Sequence, residues 1–172
     1  MQDPVELETK DLRAWRMRVS DGRAKEFRDR IVETASRAKG EVLVLRGDLV
    51  FGYDHLRSAL YHAKRAIRDG RNSSESLAME TLLYASGERQ LSTAINKMSV
   101  DAGSDEVVVA QLTGWKIIAD PSWTPMEGEK VAWKPDDLAR FGISREELAT
   151  VGLEKAVDLV LEKVASVDVL KK

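Results

Sequence analysis

Residues 76–85, reading SLAMETLLYA, constrain this chain more than any other stretch. Leu77, Ala78, Met79, Leu82, Leu83 and Ala85 fall on nearly every side of a helical wheel, so the segment predicts a helix enclosed by other elements. The apolar run breaks at Ser86-Gly87 and turns a polar corner through Glu88, Arg89 and Gln90. A second helical pattern follows at once, with Leu91, Ala94, Ile95 and Met98 facing inward. A buried helix that delivers an arginine and an amide to the open start of another helix can hold an anion, because the first backbone amides there lack partners and the dipole end is positive.

The rest of the chain interleaves strand and helix signals. Trp15, Met17 and Val19 alternate with Arg16, Arg18 and Ser20, which predicts a half-exposed strand. Asp21-Gly22 is a turn signal, and Phe27, Ile31, Val32 and Ala35 recur at helical spacing until Gly40. Val42 to Leu45 read as a buried strand. Asp54 is a candidate N-cap for a helix carrying Leu56, Ala59, Leu60, Ala63 and Ile67 on one stripe, with Arg57, Lys64, Arg65 and Arg68 mostly off it. Val107-Val108-Val109 predicts a central strand. Three tryptophans and two prolines in 113–133 leave a possible strand over 115–118 and loop elsewhere; Trp123 and Trp133 are expected to plug the side of the core rather than to stack on bases. Helices are expected near 136–140, from Ser144 through a Ser-x-x-Glu capping box, and along Leu153, Val157, Val160, Leu161 and Val164, with a short closing strand at Val167 and Val169. The spacing is too irregular for a doubly wound parallel sheet, so the expected class is α/β (α+β): a mixed β-sheet packed with helices in a single compact domain, with residues 1–10 a disordered extension.

Composition excludes several function classes. The 172 residues contain no cysteine, so neither a disulfide framework nor a thiolate metal site is available. No apolar run reaches the ~20 residues of a membrane helix, and the polar, acidic start reads as neither signal peptide nor basic presequence; the expected location is the cytoplasm. His55 and His62 point to different sides of one helix and lack carboxylates at metal spacing, so each is expected to be structural or solvent-facing, and no metal, cofactor or small-molecule substrate is expected. No nucleophile, Walker or dinucleotide motif occurs, and Glu80 in the apolar helix is expected to pair with an arginine rather than act as an acid. The chain is therefore expected not to be an enzyme. Charge is uneven: residues 13–71 carry 15 Lys and Arg against 8 Asp and Glu, while residues 72–172 carry 11 against 17. A positive half can face a polyanion, although an uneven solvated surface is an equal alternative. Arg89 in the first turn of a helix conflicts with the positive dipole end, as a functional residue often does. Either it holds an anion or it neutralises Glu80 or caps a neighbouring element.

Glu80, Leu82, Tyr84 and the run Ala85-Ser86-Gly87-x-Arg89-Gln90, followed by Ala94, resemble the signature of the TPRKB-like kinase-binding proteins, the smallest subunit of the archaeal and eukaryotic KEOPS (EKC) complex. His55 and Lys64 stand where that family has them, and the 160–165 run is similar to its C-terminal helix. The resemblance covers residues 15–112 and 140–172; the departure is 113–133, where family members tend to have a helix. It implies a non-catalytic accessory subunit of the complex that makes N6-threonylcarbamoyladenosine in tRNA, binding the small atypical kinase and capturing the 3′ CCA end of tRNA. Carried across, Ser86, Gly87, Arg89 and Gln90 become contacts to the single-stranded tail and Lys64 a phosphate contact. Part of the stripe Leu153, Val157, Val160, Leu161 and Val164 is expected to dock the kinase N-lobe. The alternative is a pure protein-interaction module without direct RNA binding.

Overall fold

Residues 3–114 and 116–171 are described in the computed structural model. Among them, eight α-helices and four strands follow in chain order: α1 Pro4–Glu8, β1 Arg13–Arg18, α2 Ala24–Arg37, β2 Val42–Arg46, α3 Tyr53–Arg68, α4 Leu77–Ser86, α5 Leu91–Met98, β3 Glu106–Gln111, β4 Thr124–Pro125, α6 Pro135–Phe141, α7 Arg145–Val151 and α8 Ala156–Leu170. The sheet order is β2-β3-β1-β4. The expected α+β class holds. β1 and β2, joined through α2, run in the same direction, but β3 inserts between them and pairs antiparallel with both, so the sheet is antiparallel throughout rather than mixed.

Alternation along the strands sends side chains to two covered faces. Ala14, Leu43, Leu45, Val108 and Ala110 join the larger core with α3, α4, α5, α6 and α8. Trp15, Met17, Val42, Val44, Val107 and Val109 meet Phe27 and Ala35 of α2, together with Ile117 and Trp123. Both faces being covered explains why Val42 to Leu45 carry no polar residue. The enclosed helix is α4, packed against α3, α5 and α8 with Leu82, Leu83 and Tyr84 buried. Each such side chain contributes about 1.5–3 kcal/mol of burial. Ser76 caps α4, accepting from the Met79 N–H, and Ser144 with Glu147 forms the expected capping box at α7.

Several expectations are corrected. The half-exposed reading of β1 holds at Arg18, which is exposed, but not at Arg16, which lies inside a network described below. The extension expected to be disordered contains α1, held because Lys64 donates from Nζ to the Glu8 carbonyl at 2.6 Å and Arg68 reaches the Glu8 carboxylate at 2.8 Å. α3 begins after Gly52, with Asp54 already inside the first turn. The strand expected over 115–118 starts at a residue outside those described, and Lys116, Ile117 and Ile118 form none. Val167 and Val169 continue α8 instead of forming a strand, because Val160, Val164 and Val167 share one buried face at helical spacing. Trp123 does pack edge-on against Trp15 and Phe27, and Trp133 against Phe51. Among the described residues, no helix is long and apolar enough to cross a membrane.

Candidate functional site

The corner after α4 is built by a left-handed glycine. Gly87 (φ 71°, ψ 14°) donates its N–H to the Tyr84 carbonyl at 3.0 Å and ends the helix. A Cβ there would come within 3.3 Å of the Lys163 Cβ on α8. Strain and crowding together predict that Gly87→Ala lowers folding stability by about 1–2 kcal/mol, read by urea denaturation; a loss under ~0.5 kcal/mol would mean that the corner relaxes freely.

Ser86 is fully buried. Its Oγ donates to the Leu83 carbonyl at 2.7 Å and accepts from the Glu88 N–H at 3.1 Å, so its hydroxyl is committed inside the turn. Arg89 and Gln90 are exposed, and Arg89 has no hydrogen-bond or ion-pair partner among the described residues. Gln90 occupies the N-cap of α5 in extended conformation, yet no side chain caps the helix and no acid lies in its first turn. The start of α5 thus keeps uncompensated amides beside a solvent-facing guanidinium.

Two residues hold this corner in place. His55 of α3 is fully buried; its Nδ1 accepts from the Phe51 N–H at 3.0 Å and its Nε2–H donates to the Ala85 carbonyl at 2.7 Å, just before the turn. Burial drives its pKa down to about 4 against the opposing Ala85 bond, so the ring is neutral. The expected structural role of His55 is what the geometry shows. The second, Lys97 of α5, was not singled out by the sequence. Its Nζ donates to the carbonyls of Ser86 (2.7 Å) and Phe141 (2.5 Å) and to Glu88 Oε1 (3.0 Å), and lies 4.3 Å from the Phe141 ring centroid. Burial pulls its pKa below the ordinary lysine value, with the Glu88 bond opposing. The signal was present: Lys97 lies three residues after Ala94 and one before Met98, on the inward face.

Lys64 is not brought to the corner. Nine positions along α3 from His55 turn the helix by roughly half a revolution, and the Lys64 ammonium is bound to Glu8. Glu80 does not pair with arginine: Lys171 bonds its carboxylate, which also accepts from the N–H groups of Ser73 and Ser74 at 2.9 and 3.0 Å. The alternative of Arg89 neutralising Glu80 is thereby removed. Beside this pair the Tyr84 hydroxyl donates to Asp168 at 2.5 Å, and His62 meets the same carboxylate at 3.0 Å, latching α8 onto α3 and α4.

On the terminal stripe, Val160 and Val164 are fully buried in the protein's own core, so they cannot meet a partner. Burial follows from α8 packing against α3 and α4. Leu153 lies outside α8, on a 3₁₀ turn Leu153–Lys155, and is 42% exposed. Val157 and Leu161 are half-buried, whereas Val169 and Leu170, which the stripe omitted, are exposed.

A family model described as "Kinase binding protein CGI-121" matches residues 19–132. The matched stretch contains α2 to α5, β2, β3 and the corner, and it runs through most of 113–133, the segment expected to depart from the family pattern. No curated protein matches the chain.

Proposed function

The chain belongs to the CGI-121 family of kinase binding proteins, and from that premise we propose that it is a non-catalytic accessory subunit of KEOPS that binds the complex's atypical kinase and recruits tRNA by its 3′ CCA end. Membership bears out the resemblance to the TPRKB-like proteins. What supports the RNA part is one observation: Arg89 stands exposed and unpartnered among the described residues, at the uncapped start of α5. Guanidinium and helix amides are the donors a phosphodiester takes, and single-stranded tails are held by such contacts to the backbone. In this reading Arg89 and Gln90 touch the tail, while Ser86 and Gly87 shape the turn that presents them. Lys64 supplies a phosphate contact elsewhere on a ligand as large as tRNA, once released from Glu8. For the kinase, the candidate contacts narrow to Leu153, Val157 and Leu161, which keep surface toward solvent.

The test compares tRNA with and without its 3′ CCA. The intact tail is expected to bind more tightly, with affinity falling as salt rises. Arg89→Glu is expected to weaken binding by at least about tenfold, and its thermal midpoint stays within about 1 °C because the side chain is exposed and makes no hydrogen bond or ion pair among the described residues. Equal affinity for tailed and tailless tRNA would defeat tail capture. Kinase binding that persists with no RNA binding under any salt would leave a protein-interaction module instead.

A further inference from the structure

We infer that Lys97 is a positioning residue for the RNA corner: by occupying the Glu88 carboxylate it keeps the neighbouring Arg89 guanidinium unpaired and open to an anion. The inference rests on the reading of Arg89 as an RNA contact. Adjacent opposite charges in this protein do pair. Arg28 bonds the carboxylate of Asp29, the next residue, at 2.8 Å, and Arg68 approaches Asp69 at 3.6 Å. Glu88 stands directly before Arg89 with the same opportunity. It is instead drawn to Lys97 Nζ at 3.0 Å, with both side chains partly buried, at 15% and 32% exposure for Lys97 and Glu88.

The ammonium cannot easily leave that position. It is also anchored by the carbonyls of Ser86 and Phe141 and by the face of the Phe141 ring. These bonds satisfy all three of its N–H donors. Two consequences follow. The carboxylate nearest to Arg89 carries a neutralising partner, so it neither captures the arginine nor repels a phosphate. The carbonyl at the end of α4 is tied to the last turn of α5, which fixes the angle at which Arg89 leaves the corner.

The electrostatic role separates from mere bracing by a double-mutant cycle on the full chain, read with a single-stranded RNA oligonucleotide ending in CCA. Lys97→Met is expected to lower affinity about tenfold, and adding Glu88→Gln to restore it to within about threefold, because the freed carboxylate is then gone. Glu88→Gln alone, which does not disturb the anchors on the two carbonyls, is expected to change affinity by less than about threefold. An independent reading needs no RNA: the Arg89 Nε–H resonance in NMR should shift and exchange more slowly in Lys97→Met, and return in the double variant. The inference falls if the double variant binds as weakly as Lys97→Met, if Glu88→Gln alone strengthens binding about tenfold, or if the Arg89 resonance is the same in Lys97→Met as in the unaltered protein. Failure of the RNA reading itself looks different: Arg89→Glu would then bind the oligonucleotide as the unaltered protein does, whatever the Arg89 resonance shows.

Discussion

Arg16→Met is expected to lower folding stability by about 4 kcal/mol. The guanidinium sits in the middle of β1 with its side chain 11% exposed. Nη1 donates to the Gly47 carbonyl (2.7 Å) and Glu106 Oε1 (2.8 Å), and Nη2 to the Val50 carbonyl (2.9 Å) and Glu129 Oε1 (3.1 Å). Nε reaches Glu129 Oε2 at 3.2 Å, which makes the Glu129 pair bidentate and engages every N–H the side chain has. Methionine fills much of the volume but leaves Glu129, only 7% exposed, as an uncompensated carboxylate, and takes the guanidinium away from the Val50 carbonyl; the Gly47 carbonyl keeps the Val50 N–H at 3.3 Å. Removing one partner of a buried pair is the costly half of such a change. For a chain of this size the loss corresponds to a thermal midpoint lower by about 10 °C. Arg16→Lys is expected to recover only part of this, since an ammonium cannot make the bidentate pair. Arg16→Met/Glu129→Gln should recover more. A single variant within about 1 kcal/mol of the unaltered protein would mean that water replaces the guanidinium at low cost.

Arg16 also marks where a sequence stops being legible. Its alternation with Trp15 and Met17 is a real strand signal, and β1 is there. Alternation reports which residues share a side, not whether that side is covered, and here residues from 47 to 50 and Glu129, far apart in the chain, fold over it. The same limit applies to the sheet. Every strand in the body of the sheet could be read from its own residues, but the insertion of β3 between β1 and β2 is a pairing between distant segments and leaves no local mark. Helices whose evidence is local came through well: α4 by its all-round apolar surface, α7 by the Ser144 to Glu147 box. Val167 and Val169 misled because β-branched residues favour strands in isolation, while burial of Val160, Val164 and Val167 along one face of α8, which packs against α3 and α4, decides for helix and carries the exposed Val169 with it.

The corner divides along the same line. Arg89 could be picked out because a cation at a helix start is locally unfavourable; the structure leaves it exposed but places it one residue before the Gln90 N-cap, not in the first turn of α5 as expected. Ser86 could not be assigned by type: a serine in a turn is as suited to bonding its own backbone as to bonding a ligand, and here it bonds Leu83 and Glu88. The role of Lys97 depends on α6 delivering the Phe141 carbonyl across more than forty residues, which no spacing rule records.

The second large effect is expected from acid. His55 has a folded-state pKa of about 4, against 6.5 for an ordinary histidine, so between these values the unfolded chain binds a proton that the folded chain refuses. Stability from this group is complete above pH 6.5 and is lost as pH falls from 6.5 toward 4, a gap worth about 3 kcal/mol. The cause is structural. Burial is the largest contribution, and the charges of Lys97 and Arg16 add to the cost of a second cation. Protonating Nδ1 would also turn the acceptor of the Phe51 N–H into a donor, orphaning a buried amide at the start of α3. Asp48, Asp120, Asp168 and the exposed Glu147, whose pKa values are held below the ordinary carboxylate range, lose most of their contributions only below about pH 4.5, so the window from pH 6.5 down to about 4.5 belongs mainly to His55. Denaturant midpoints should therefore fall steadily from pH 7 to about pH 4.5, and His55→Gln, less stable at pH 7, should show a flat profile over that range. An equal slope in both proteins would assign the proton uptake to another group.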